Sequence, residues 1–476
     1  MRTGEIVTLS LYFILMLGIG VYAWRKSTSD IDGYVLGGRS LGPGVTALSA
    51  GASDMSGWLM LGLPGAMFAS GLSAAWIGIG LALGALANWM LVAPRLRERT
   101  VAVGDALTIP DYLGKRFPKG DVLRVVSSAV IIVFFTVYTA SGLVAGGKLF
   151  DSALGQSYTI GLWVTAGVVV AYTLFGGFLA VSLTDFVQGV IMFFAMIIVP
   201  VVALQMAGGW DVSMDLVRSI DPSRLDWFEG VGLLGLISAL AWGLGYFGQP
   251  HIIVRFMAIR SVADVPTARN IGMGWMLVTL VGALGTGFAG LAYMTAQGQT
   301  LSDPETIFIV LTKVLFNDWV SGFLLAAILA AIMSTISSQL LVSSSSITED
   351  YYRRFFRREA SQKELVLTGR LSVLAVALVA IFMARDPDSS VLSIVSNAWA
   401  GFGAAFGPLI LLSLLWEGTT RNGALAGILS GAATVGVWIF AGLSDTLYEI
   451  VPGFAVSFAA IVIVSLMESN RVQARG

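Results

Sequence analysis

Ala47-Leu-Ser-Ala-Gly-Ala-Ser-Asp-Met-Ser-Gly-Trp58 places a carboxylate, Asp54, inside a segment of membrane character. Gly51, Gly57 and the serines beside them make this the part of the segment where a continuous helix is hardest to sustain. A charge in hydrocarbon costs ~2.5 kcal/mol or more unless it meets water, a partner or an ion, so an ionisable residue at this depth is read first as functional. The chemistry implied is the passage of an ion or a polar solute.

The surrounding composition fits that reading: of 476 residues, 56% are hydrophobic, only 12% are charged and 56 are glycine, the profile of a polytopic membrane protein. A formal net charge of -1 offers no basic face to a nucleic acid. The absence of cysteine excludes disulfides, thiolate metal sites and cysteine nucleophiles, and the single histidine, His251, cannot build a His-based metal site alone. With no His-Glu-x-x-His and no second histidine, an intramembrane enzyme is disfavoured, and neither a cofactor nor an obligate protein partner is expected.

Ile6 to Trp24 ends in Arg25-Lys26 without a small-residue cleavage site and reads as a retained helix. Twelve further spans follow: 42–70 (interrupted), 73–93, 124–147, 158–176, 185–207, 231–257, 268–296, 318–347, 365–384, 391–416, 423–442 and 448–467. With the N-terminus outside, 22 of the 28 basic residues fall on one face, among them Arg39, Arg255, Arg353, Arg471 and Arg475. The other face holds only Arg2, Lys148, Arg218, Arg224, Lys313 and Arg385. This bias predicts a cytoplasmic C-terminus, which an odd count of thirteen crossings requires. The polar stretches 94–123, 208–230, 297–317 and 349–364 are too short for a separate core, so 1–476 is expected to be one transmembrane domain.

A second interruption is expected at Trp242-Gly-Leu-Gly-Tyr-Phe-Gly-Gln-Pro-His251, where three glycines and a proline enter an apolar run. Broken helices in corresponding positions of two halves are the best sequence pointer to a transporter's binding site, because freed carbonyls at membrane depth must line a cavity or coordinate something. The breaks open helices two and seven. That spacing predicts two five-helix repeats, 42–207 and 230–417, preceded by 1–41 and followed by two helices in 421–467. Close packing is the competing use of membrane glycines, and it is expected at Gly80-x-x-x-Gly84, Gly142-x-x-x-Gly146 and Gly423-x-x-x-Gly427. Gly243-Leu-Gly-Tyr-Phe-Gly248 and Gly285-Thr-Gly-Phe-Ala-Gly290 match the dinucleotide pattern but follow no strand, and are set aside.

In Ala326-Ala-Ile-Leu-Ala-Ala-Ile-Met-Ser-Thr-Ile-Ser-Ser-Gln339, helical spacing puts Ala327, Ala331, Ser334, Thr335 and Ser338 on one small or hydroxylated face. Hydroxyl and carbonyl oxygens with few full charges suit a hard monovalent cation. The alternative is that these hydroxyls bond their own preceding turn or glue helices together.

Tyr34-Val-Leu-Gly-Gly-Arg-Ser-Leu-Gly-Pro43, the Asp54 run, Trp242 to His251, Ile328 to Thr335 and Ser346-Ile-Thr-Glu-Asp350 together resemble the sodium/solute symporter family, in particular its bacterial sodium/proline symporters. The resemblance covers nearly the whole chain. It implies an all-α membrane protein with a LeuT-like core of five plus five inverted-repeat helices, one helix before it and two after. It implies sodium-coupled uptake of L-proline across a bacterial cytoplasmic (inner) membrane. The implied sodium ligands are the carbonyls of Ala52, Met55 and Ala331 and the hydroxyls of Ser334 and Thr335. Asp54, Arg39, Ser49, Ser56 and Gly57 would support sodium coupling, and Ser53 would take part in substrate binding. Trp58, Tyr138, Trp242, Tyr246 and Pro250 would meet the substrate. Aromatic walls suit a compact apolar ring, and a secondary ammonium is attracted to a ring face by about 0.5 to 2 kcal/mol.

Asp185, in Ser182-Leu-Thr-Asp-Phe-Val-Gln188, has two readings. Expected at the start of helix six near the cytoplasmic boundary, it is a carboxylate favoured by the helix dipole. By resemblance it would hold a second sodium with Ser337 and Ser338. The rival functions are symport of another small solute, such as a different amino acid, a sugar or a vitamin, and a transporter-like sensor. The sensor is disfavoured because the chain ends soon after Leu466.

Overall fold

The computed structural model describes residues 2–27, 30–228, 230–387 and 390–473; Arg475, counted above among the cytoplasmic charges, lies outside them. Helix fills most of these segments, and the β pairing among the described residues is a single isolated parallel bridge between Leu41 and Ile259. Ten helices among the described residues are long and apolar enough to cross a membrane, which takes about 20 residues each. This is a multi-pass membrane protein.

Two of the ten exceed a single crossing: Pro43–Ala102 with 60 residues and Tyr158–Met206 with 49. The first is interrupted at Ser56 and turns again at Gly71, with φ 74°. The second kinks at Gly177, φ 57°, where a Cβ would lie 2.7 Å from the Tyr34 carbonyl oxygen and ring. That one residue redirects the chain, so the gap expected between 176 and 185 is helical, with Ser182, Thr184 and Asp185 buried in it. The expected 124–147 runs Asp121–Leu154. The expected 318–347 ends as α-helix at Ser345 and continues in a wider π-type winding to Phe356. The expected 231–257 divides into Leu233–Ala241, a tight 3-10 segment Trp242–Gly248, and Pro250–Ala258.

Burial separates centre from edge. The Asp318–Phe356 span has 89% of its most apolar window buried, against 33% for Arg421–Phe440 and 28% for Ile450–Ser469, which pack on each other. The small-residue motifs explain how backbones approach so closely near the centre. A Cβ on Gly84 would sit 2.1 Å from the Gly243 carbonyl oxygen, and one on Gly80 would sit 2.5 Å from that of Leu240. Gly80 and Gly84 therefore form the seat of the second broken helix. Gly142 and Gly146 are closed by Ile336 and Thr165, and Gly423 and Gly427 by Ser465 and Ile461. Gly38-Arg-Ser-Leu-Gly42 has the spacing of a hydrolase elbow, but it lies in a helical turn and loop, and Ser40 Oγ donates to the Gly37 carbonyl at 2.7 Å.

Candidate ion and solute site

The first break begins two residues after Asp54. Ser56 takes φ 41° and ψ -171°, a conformation L side chains rarely adopt, which costs of order 1–3 kcal/mol and persists where the surroundings over-determine it. Its own hydroxyl supports the turn, accepting from the Trp58 N–H at 3.1 Å. Gly57 is needed for space as well, because a Cβ there would lie 3.1 Å from both Ala145 and Ile332. The chain resumes as a wide π-type turn, Trp58–Gly62, before regular helix from Leu63.

The second break faces the first. Tyr246, inside the 3-10 segment, donates its hydroxyl to Asp54 Oδ2 at 2.5 Å. The segment ends at Gln249 in extended backbone, and Pro250 opens the next helix at a position where a missing N–H costs nothing. Asp54, Met55, Ser56, Trp58, Tyr138, Trp242 and Tyr246 line one cavity together with Leu81, Val395 and Trp399. Trp58 and Trp242 lie with ring centroids 5.8 Å apart, and Tyr448 stacks on the far side of Trp242 at 5.2 Å. About 10 Å³ of the cavity is open to a water-sized sphere, room for roughly one water molecule. The walls are closed and must part to admit any organic solute.

Next to the cavity, the hydroxylated face of Asp318–Ser345 crosses the broken helix. Ser334 Oγ donates to the Ala52 carbonyl at 2.7 Å, and Thr335 Oγ1 to the Ser53 carbonyl at 2.9 Å. Both hydroxyls are also within 3.3 Å of the Ala331 carbonyl. Four of the five anticipated oxygens thus converge: Ala52 O, Ala331 O, Ser334 Oγ and Thr335 Oγ1. The fifth, Met55 O, accepts from the Trp58 N–H at the break itself. Ser53 belongs with this cluster through its carbonyl, while its hydroxyl donates to Ala50 O at 3.1 Å.

One helical turn before this cluster lies a second buried acid, in a different setting from the one its sequence suggested. Asp185 is no N-terminal carboxylate: it is fully buried well inside Tyr158–Met206. Its Oδ2 accepts from Ser49 Oγ at 2.7 Å and from the Arg255 guanidinium at 3.0 Å. Arg255 is equally buried, also bonds Ser49, Ser338 and the His251 carbonyl, and lies over the Phe178 ring at 5.4 Å. Arg255, one of the basic residues assigned to the richer face, is thus a buried charge paired with an acid. The signal was present, because a lone arginine in Pro250-His-Ile-Ile-Val-Arg-Phe-Met-Ala258 is itself an intramembrane charge. Ser338 accepts from Arg255 and is itself in hydrogen-bonding reach of Asp185, whereas the Ser337 hydroxyl donates to the Ser334 carbonyl at 3.0 Å.

Of the anticipated substrate contacts, Ser53 and Pro250 are outside the cavity lining, and Arg39 stands further apart. Pro250 starts the half-helix, and Arg39 clamps a loop, donating to the carbonyls of Met257 at 2.9 Å and Ala106 at 2.8 Å. Arg39 itself has φ 53°, after Gly37 and Gly38 at φ 62° and 61°, and the bridge from Leu41 to Ile259 follows directly. It ties the entry of one broken helix to the exit of the other.

Residues 34–431 match the family model described as "Sodium:solute symporter family". The high-affinity proline transporter PutP of Bacillus subtilis (strain 168) is 60% identical over 462 residues, covering 96% of this chain and 97% of that protein. The osmoregulated proline transporter OpuE of the same organism is 56% identical over 98% of this chain and 96% of its own length. The sodium/proline symporter of Staphylococcus aureus (strain NCTC 8325 / PS 47) is 53% identical over 96% and 92%. Among solved structures, the substrate-bound outward-open state of a Na+-coupled sialic acid symporter superposes with a TM-score of 0.84 at 17% identity, covering 98% of both chains. Mhp1, a nucleobase-cation-symport-1 family transporter in a closed conformation, gives 0.58 at 14% identity over 93% of this chain and 96% of that one. These likenesses establish the LeuT-type symporter fold. The extent of the family match and the identity to these relatives show that the chain belongs to the sodium:solute symporter family.

Proposed function

We propose that this protein carries out sodium-coupled uptake of L-proline by alternating access. The observation that carries the reading is the juxtaposition of an oxygen cluster, built between two helices, with a closed aromatic cavity that shares Asp54 and Met55 with the broken helix. The names of the relatives supply the substrate. The Ala52, Met55 and Ala331 carbonyls and the Ser334 and Thr335 hydroxyls would hold sodium. Asp54 would contribute the negative charge nearby, and Trp58, Tyr138, Trp242 and Tyr246 would enclose the proline ring. Ser56 and Gly57 would shape the break, while Ser49 and Arg39 would link it to the cytoplasmic side.

Sodium between the two helices would favour the arrangement that accepts proline. Both ligands then prefer one conformation, and the coupling is reciprocal. An inward membrane potential adds ~2.3 kcal/mol per charge per 100 mV to the driving force. No covalent step is involved. Thirteen crossings of a bacterial cytoplasmic membrane, the N-terminus outside and the C-terminus inside, complete the reading, with two five-helix repeats at 42–207 and 230–417.

The deciding experiment is uptake of labelled proline into cells or proteoliposomes with and without an inward sodium gradient, followed by competition from a panel of amino acids, sugars and vitamins. Gradient-dependent accumulation competed by proline alone is the expected result. Accumulation displaced by a different solute would assign the cavity to that solute.

A further inference from the structure

The wall of the cavity opposite Asp54 comes from a helix in which sequence reasoning singled out no residue. Val395 and Trp399, four residues apart on Val391–Leu415, share one face and both line the cavity. Trp399 does more than fill space. Its indole N–H donates to the Trp242 carbonyl at 2.8 Å, at the start of the 3-10 segment, and its own carbonyl accepts from Gln249 Nε2 at 3.1 Å, at the end. Its ring meets Tyr246 edge-on at 5.1 Å and 84°. Gly245 leaves room for it, since a Cβ there would lie 1.9 Å from the indole nitrogen. The indole therefore holds the start and the middle of the segment that presents Tyr246 to Asp54, and the Trp399 backbone carbonyl holds its end.

We propose that Val395 and Trp399 determine specificity: Val395 measures the size of the substrate ring, and Trp399 positions Tyr246 against it. This rests on the assignment of the cavity to proline. The argument from Val395 is one of volume. The cavity is nearly closed, and Val395 is a buried branched side chain on its wall, so replacing it with alanine removes two carbons and opens more than the space of one ring methylene. A single methylene in an apolar pocket changes discrimination by about 10- to 200-fold.

The test uses L-proline and its six-membered-ring homologue, L-pipecolate, with the full-length protein in proteoliposomes. Val395→Ala is expected to raise the ratio of kcat/KM for pipecolate over proline about tenfold or more. Val395→Ile, which adds a methylene, is expected to move the ratio the other way and raise the KM for proline. Trp399→Phe retains an aromatic ring without the N–H; it is expected to raise the KM for proline while sodium binding in the absence of proline stays unchanged. A loss confined to protein yield, or equal losses in proline and sodium affinity, would mean a merely structural tryptophan. If wild-type protein transports proline and both Val395 variants keep its ratio, the size-wall inference is overturned. If wild-type protein transports no proline, the functional reading itself fails. Should Val395→Ala insert poorly, the Val395→Ile shift still decides the question.

Discussion

Asp54 and Asp185 are both buried carboxylates that neighbour the oxygen cluster: Asp54 directly follows Ala52 and Ser53 in the chain, and Asp185 bonds Ser49 on the same helix. Their partners differ in kind. Asp185 has a full counter-charge, Arg255, with Ser49 and Ser338 completing the network. Asp54 has one neutral hydroxyl, from Tyr246, and a cavity. A buried pair is compensated internally, and removing one member strands the other. A buried carboxylate facing only a hydroxyl depends on something that enters. The first arrangement is a fixture of the fold; the second is suited to binding.

Stability gives the sharpest way to break that contrast. Asp185→Asn leaves Arg255 charged, buried and without its acid, which costs about 3–5 kcal/mol. Thermal unfolding in detergent should show a large loss, and adding Arg255→Gln should restore part of it, because the double variant has no stranded charge. Equal destabilisation by Asp185→Asn and by Asp54→Asn would erase the distinction between the two acids.

Asp54→Asn should do the opposite, leaving stability nearly intact, since the amide oxygen still accepts from Tyr246. Sodium-driven proline uptake should fall by on the order of 100-fold, toward the upper end of ordinary coupling energies. Near-normal accumulation by correctly inserted protein would make Asp54 a satisfied structural acid.

The two acids also show how far the sequence could be read. Asp54 was legible because glycine and serine beside an intramembrane charge announce both a break and a reason for it. The Ala331, Ser334 and Thr335 part of the oxygen cluster was legible for a similar reason, since small and hydroxylated residues at helical spacing define a face, whereas Ala52 entered only through the family resemblance. Asp185 was misplaced because Gly177 redirects the chain with one residue, where a gap between two spans was expected. The pairing of Arg255 with Asp185 was not legible, because a count of basic residues per face says nothing of what surrounds each one. Trp399 was invisible, since its role depends on a hydrogen bond to a carbonyl 157 residues away, which no local pattern encodes.

The oxygen cluster offers a smaller and more selective effect than either acid. Ser334→Ala with Thr335→Ala should raise the sodium concentration for half-maximal uptake roughly tenfold or more, because two polar contacts at about 1 kcal/mol each exceed the 1.4 kcal/mol that one decade requires. Expression should change little. Unchanged sodium dependence would return these hydroxyls to the role of helix glue.

The smallest expected effect is the absence of one, and it concerns whether a second sodium uses Asp185, Ser337 and Ser338. One oxygen of that carboxylate, Oδ2, is occupied by Arg255, and the Ser337 hydroxyl is turned to its own helix. The other oxygen, Oδ1, has no hydrogen-bond partner among the described residues, so the site has spare capacity but already holds a cation in the form of the guanidinium. For sodium to bind there, Arg255 must first leave, and a fully buried arginine parted from its acid is a stranded charge. The charge moved per proline, measured from the current and the labelled uptake in the same proteoliposomes, is therefore expected to be about one. Arg255→Lys, which keeps the cation, should leave that ratio unchanged. A ratio near two in the unmodified protein, falling to one in Asp185→Asn, would show that Arg255 gives way during the cycle and that both acids serve ions.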